Sequence, residues 1–129
     1  MKLSLKPVCR QDYKFLYGLL QQRDPKANIS HRKMPTYEEH CKFNDNTPYR
    51  EDYIIFDGDK PIGRFYISQL DELGVHLIKG CQGKVEKDIL KQNWDRIKFV
   101  NVSPSNKRLQ RLLKRLGFKL IQYTYADIR

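Results

Sequence analysis

Two β-rich runs separated by a single tight turn constrain this chain more than any other feature. Tyr53-Ile54-Ile55-Phe56 and Ile62-Gly63-Arg64-Phe65-Tyr66-Ile67 flank Asp57-Gly58-Asp59-Lys60-Pro61. β-branched and aromatic residues on both sides of a Gly-containing turn predict a hairpin. A hairpin needs more strands or a helix to cover it, so the rest of the chain must supply a sheet and its layers.

Neighbouring segments supply both. Lys2 to Val8 alternates as a strand, with Leu3 and Leu5 on one face and Pro7 at its end. Gln11 to Arg23 carries Phe15, Leu16, Leu19 and Leu20 at helical spacing, until Asp24-Pro25 stops it. Asn28 to Met34 reads as a polar loop. Thr36 and Glu39 have the spacing of a capping box and open a second helix that carries His40, Cys41 and Phe43.

Beyond the hairpin, Gly74 to Ile78 predicts a strand, residues 80–84 a loop, and Val85 to Asn93 a helix. Lys98 to Val102 predicts the next strand. Asn106 to Leu116 is a basic amphipathic helix closed by Gly117, and Lys119 to Tyr125 reads as a last strand. The order β-α-α-β-β-β-α-β-α-β predicts one α+β domain over residues 1–129. Its mixed sheet would have about six strands and helices on both faces, with parallel pairing where the chain crosses over through a single helix.

Composition bounds the function classes. With 129 residues and 40% hydrophobic content the chain builds a core without metal or disulfide staples. Cys9, Cys41 and Cys81 are widely spaced and form no CxxC pair or zinc cluster, which predicts reduced thiols and no metal site. Met1 to Pro7 lacks the apolar stretch of a signal peptide, and no run is long enough to span a bilayer. A cytoplasmic protein with no membrane partner is expected. The net charge of +10 draws anionic partners but does not choose among them.

Several local patterns resemble the GNAT superfamily of N-acetyltransferases across nearly the whole chain. Asn101-Val102-Ser103-Pro104-Ser105-Asn106, followed by Leu112-Leu113-Lys114-Arg115-Leu116-Gly117-Phe118, resembles that family's "N-x-x-P-x-N … K-x-L-G-F" text. Lys60-Pro61-Ile62-Gly63 is similar to its turn into the third strand. Asn28-Ile29-Ser30-His31 and Tyr37-Glu38-Glu39-His40 resemble a subgroup that acetylates nucleotide-linked amino sugars or ribosomal-protein N-termini.

The resemblance implies acetyl coenzyme A as co-substrate, held by backbone at Val75, Leu77 and Ile78, by the loop Gln82-Gly83-Lys84, and by the helix starting at Val85, with a contact from Asn106. The physical basis is a set of backbone N–H groups and a positive helix end aimed at a pyrophosphate. The family loop usually reads "Q-G-K-G-x-G/A". Here it reads Gln82-Gly83-Lys84-Val85-Glu86, with the second glycine missing and one residue deleted. A β-branched Val85 does not take the backbone geometry of glycine readily, and Glu86 brings negative charge toward a diphosphate unless it points away. Lys79, Lys84 and Lys87 offset that charge in part.

For catalysis the resemblance points to Glu72 as the base, with a solvated surface role beside Asp71 in a loop as the competing reading. Leu113 stands where many relatives carry an acidic Tyr, which leaves Tyr123 or Tyr125 as substitutes, with core packing as the competing role for both. His76 reads as structural or pocket-lining. Adjacent on one helix, His40 and Cys41 point in different directions and make no nucleophilic pair. In the resembled fold His31-Arg32-Lys33 would border the acceptor side and suit an anionic substrate, with a solvated loop as the favoured alternative.

The expected acceptor is a small amine or a nucleotide sugar. Nucleic acid ranks lower, because the basic helix carries no interleaved aromatic residues. The alternative to an enzyme is a catalytically impaired module of the same fold that binds an anionic partner. Exposed edge strands leave room for a homodimer.

Overall fold

The computed structural model describes residues 2–23 and 33–127. The predicted loop from Asn28 and the cluster His31-Arg32 therefore lie outside the described residues, as does the Asp24-Pro25 stop. A five-stranded sheet runs in the order β1-β2-β3-β4-β5. Its strands are β1 (Leu3–Pro7), β2 (Tyr49–Asp57), β3 (Lys60–Ser68), β4 (Glu72–Leu77) and β5 (Phe99–Val100). The first four pair antiparallel, and β4 pairs parallel with β5.

Helices α1 (Tyr13–Gln21) and α2 (Tyr37–Asp45) cover one face. Tyr13 and Leu16 pack there on Ile54, with Phe15, Cys41 and Phe56 around them. Helices α3 (Lys84–Gln92) and α4 (Lys107–Arg115) cover the other. Val85, Ile89 and Leu90 of α3 and Leu112 and Leu113 of α4 close over Ile55, Phe65, Ile67 and Leu73 in the main core. Alternation along β3 and β4 sends Phe65, Val75 and Leu77 to that core and leaves Arg64, Tyr66, Gly74 and His76 on the α1–α2 face. Among the described residues no helix is long and apolar enough to cross a membrane.

Local signals in the sequence translate directly. Thr36 Oγ1 accepts from the Glu39 N–H at 3.1 Å while Glu39 Oε1 accepts from the Thr36 N–H at 2.9 Å, a complete capping box. Gly117 sits at φ 96°, and its N–H and that of Phe118 bond back to Lys114 O and Leu113 O at 3.1 and 2.9 Å. That pattern is a Schellman C-cap.

Three expectations change. Residues 119–125 form no strand; Leu120, Ile121, Tyr123 and Tyr125 are exposed instead, at 67–91%. Strand propensity there meets no paired edge, and an unpaired extended segment is not a strand. The strand expected over Lys98–Val102 pairs only at Phe99 and Val100. β2, conversely, starts at Tyr49 rather than Tyr53. Its charged stretch Arg50-Glu51-Asp52 is held by ion pairs to Asp71, Arg96 and Arg64, the last of them across to β3, rather than by apolar alternation.

Candidate active site

A fork in the sheet defines the site. β4 and β5 pair at Glu72↔Phe99 and Leu73↔Val100 and then separate. The chain after β5 turns away through Ser103-Pro104 toward α4, so among the described residues the outer backbone edge of Gly74–Leu77 has no strand beside it. The Ile78 N–H donates to Ile62 O at 2.9 Å, and the Phe99 N–H to Asp71 O at 3.2 Å. Antiparallel alternation then turns the peptide groups of Val75 and Leu77 into the gap and those of Ile78 toward β3. Of the three backbone contacts expected from sequence, Val75 and Leu77 face the gap and the Ile78 N–H is already committed.

The base of the fork is built around Glu72. Its Oε2 accepts from Asn101 Nδ2, across the two diverging strands, and its Oε1 from Ser68 Oγ at 3.4 Å. The Glu72 N–H also donates to Ser68 Oγ at 3.1 Å. The turn before it holds Asp71 at φ 63°, fixed by Arg50 at 2.7 Å. Glu72 is thus an oriented carboxylate at the start of a strand, where sequence alone leaves it a solvated loop residue.

At the far end of the gap, Gln82 folds back. Its Oε1 accepts from the Gly80 N–H at 3.0 Å, and its Nε2 donates to Leu77 O at 3.4 Å. Gly83 follows at φ 91°, a conformation that favours glycine. Helix α3 then begins at Lys84, and the Lys87 N–H donates to Gly83 O at 3.0 Å. The missing second glycine is accounted for here. Val85 lies in the first helical turn with its side chain in the core at 1% exposure, so that position needs no left-handed backbone.

The first-turn N–H groups of α3 remain unspent by the helix and point out at the positive end of its dipole. Glu86 brings no free charge to them. It is buried at 7% exposure and paired with Arg108 on α4 at 2.7 Å. A groove of about 520 Å³ runs from Gly83 between α3 and α4, flanked by Lys84, Lys87, Lys91, Arg108 and Arg115.

The remaining expected residues divide. Asn106 caps α4, its Oδ1 accepting from the Leu109 N–H at 3.1 Å. Leu113 is a core residue. Tyr123, in the unpaired segment, is 75% exposed and is not among the partners of Glu72. Among the described residues no hydrogen bond joins these two expected catalytic residues. His76 reaches the α1–α2 face, where burial, then Arg23 and Arg64, hold its pKa well below the ordinary imidazole value. Among the described residues no group of His, Cys, Asp and Glu has the makings of a metal site.

Sequence reasoning missed Tyr66. A Cβ on Gly74 would lie 1.9 Å from Tyr66 Cζ and 2.4 Å from its hydroxyl, so the phenol lies directly on the strand beside the gap. Tyr49 stacks on it at 3.8 Å. A glycine opposite a tyrosine in antiparallel register was the available signal, but it needs the β3–β4 pairing to be known.

No family model matches the sequence, and a search of the curated proteins finds no match. Solved structures do match. An acetyltransferase from Thermus thermophilus superposes with a TM-score of 0.71 at 17% identity, covering 95% of this chain and 90% of that one. Mutant forms of the spermidine/spermine N-acetyltransferase SpeG from Vibrio cholerae give 0.70 at 15%, covering 91% and 79%. The microcin C7 self-immunity acetyltransferase MccE, in complex with acetyl-CoA and AMP, gives 0.62 at 19%, covering 91% and 78%. The likeness at these identities is one of fold: the chain has the GNAT fold.

Proposed function

We propose that this protein is an acetyl coenzyme A-dependent N-acetyltransferase of a small or nucleotide-linked amine. The observation that carries the reading is the fork: an unpaired strand edge at Val75 and Leu77 that leads to Gly83 and the N-terminus of α3. The chain's own groups fit the expected co-substrate. Val75 and the Leu77 N–H face a pantetheine amide, the Leu77 carbonyl already accepting from Gln82, and the first turn of α3 with Lys84 and Lys87 offers N–H groups and charge to a pyrophosphate. Acetyl coenzyme A supplies an activated acyl group, and that it binds the MccE fold is consistent with this reading.

Glu72, oriented by Asn101 and Ser68, takes the proton that the amine must lose, directly or through one water. Proximity supplies most of the remaining rate, because fork and acceptor face meet at Gly74. Tyr66, lying on Gly74, lines the acceptor side. A second copy of the chain meeting an open sheet edge, β1 or β5, belongs to the same reading.

One observation favours the alternative of a non-catalytic binding module: Leu113 is in the core and Tyr123 is exposed, so neither supplies an acid at the gap. Calorimetric titration with acetyl coenzyme A, followed by a thiol-release assay over a panel of amines, separates the two. Saturable binding with turnover supports the enzyme. Binding without turnover of any amine leaves the module, and no binding at millimolar ligand overturns the acetyltransferase reading.

A further inference from the structure

On the α1–α2 face, beside the part of β4 that borders the fork, a cation lies without an anion among the described residues. Arg23 leaves the end of α1 and its Nη1 approaches both ring nitrogens of His76, Nδ1 at 3.3 Å and Nε2 more closely. A guanidinium only donates, so the imidazole accepts and is neutral. Helix α1 is seated against this end of β4 by the Lys79 N–H, which donates to Gln22 Oε1 at 3.1 Å. Tyr66 packs edge-on against His76 at 6.0 Å and face to face with Tyr49 at 3.8 Å.

A second arginine on the same face shows what a satisfied site looks like. Arg64 is 5% exposed and binds Asp52 through Nε at 2.9 Å and Nη2 at 2.6 Å, with Asn44 Oδ1 at 2.9 Å. Arg23 is also partly buried, and burial works against its charge. Among the described residues, however, it pairs with no carboxylate, and His76 is its hydrogen-bond partner. A desolvated guanidinium left uncompensated is costly, and a planar fork of donors is matched by an oxyanion.

We infer that Arg23, backed by neutral His76 and walled by Tyr66, binds an oxyanion of the acceptor molecule, a phosphate or a carboxylate, at a distance from its amine. This deepens the acetyltransferase reading and rests on it for the word acceptor; the anion site itself does not. His76 lies two residues from Gly74 and four from Glu72 on one face of β4, roughly 7 and 13 Å along the strand. The acceptor therefore separates amine and anion by about that span. A phosphorylated amino sugar or an acidic peptide N-terminus meets this condition. An α-amino acid is too short, and a polyamine has the wrong sign for a chain of net charge +10.

The test has two arms that fail separately. In the first, the imidazole resonances of His76 are followed while inorganic phosphate, then succinate, is added to the full chain with the α3 site saturated by coenzyme A. A saturable shift at His76, weakened about tenfold or more in Arg23→Gln and partly restored in Arg23→Lys, is expected for a charge-assisted site. No shift at His76, or a shift unchanged in Arg23→Gln, overturns the anion site, and whichever probe binds tells phosphate from carboxylate. The second arm compares KM for matched amines with and without a phosphate or carboxylate, using wild type and Arg23→Gln. A lower KM for the anionic amine in wild type alone is expected; equal KM values overturn the inference while leaving an acetyltransferase. Should coenzyme A fail to bind, the acetyltransferase reading falls, and the first arm, run without it, still decides the anion site.

Discussion

Arg108 on α4 donates from Nη2 to Oε1 of Glu86 on α3 at 2.7 Å and so ties together the two helices that bracket Gly83. The pair is unevenly buried: the Glu86 side chain is 9% exposed and that of Arg108 is 40%. Arg108→Met would strand the buried carboxylate and cost about 1–3 kcal/mol, below the value for a fully buried pair because Arg108 keeps part of its hydration. Urea unfolding checks this, and the double variant with Glu86→Leu should recover much of the loss. If the first turn of α3 holds the pyrophosphate as proposed, coenzyme A affinity should fall in Arg108→Met, because Glu86 in that turn loses its countercharge.

Gly74→Ala tests the contact between Tyr66 and the fork. The new Cβ would fall 1.9 Å from Tyr66 Cζ, so the ring must leave its stack on Tyr49. A loss of about 1–3 kcal/mol is expected, as for other overpacked sites. Acetylation should fall more than coenzyme A binding, because the ring lies on the acceptor face. Parallel calorimetry and turnover on the same variant measure both.

His76 gives a pH dependence whose sign follows from its environment. The unfolded imidazole titrates near 6.5, and the folded one is held well below that, first by burial and then by Arg23 and Arg64. Above about pH 6.5 both states are neutral and the full stability is present. As pH falls below that value the unfolded chain takes a proton that the folded chain refuses. Stability then drops by up to about 1.4 kcal/mol per pH unit until the folded imidazole titrates. In His76→Gln the slope of stability between about pH 6.5 and 5 should be smaller than in wild type.

Thr36→Ala removes one half of the capping box on α2 and should cost about 1 kcal/mol. Thermal unfolding monitored by circular dichroism reads it. Thr36→Ser, which keeps the acceptor oxygen, should stay within a few tenths of a kcal/mol of wild type.

The parts of this protein that were legible in sequence are those decided by residues close together in the chain. The Thr36–Glu39 box and the Gly117 cap are satisfied by neighbours three to five positions away, and each stands in the structure as the sequence predicts; the hairpin forms too, with a tighter turn at Gly58 and Asp59 between Asp57 and Lys60. The apolar spacing of α1, α3 and α4 likewise assigns their buried faces, since a helix repeats its geometry regardless of what it packs on. Element order, the mixed sheet and helices on both faces follow from these local decisions.

The tertiary structure decided whatever needed a distant partner. A strand exists only beside another, so Leu120 to Tyr125 has strand composition and no strand, while charged Arg50 to Asp52 is strand because Asp71, Arg96 and Arg64 meet it from 12 to 45 residues away. The shortened loop is shaped in the same way: Val85 packs in the core and Glu86 pairs with Arg108, 22 residues on. The oriented Glu72 depends on Asn101, and the uncompensated Arg23 depends on His76, 53 positions along the chain. A sequence states which groups are charged or apolar; only folding sets which of them meet, and the chemistry of the fork lies in those meetings.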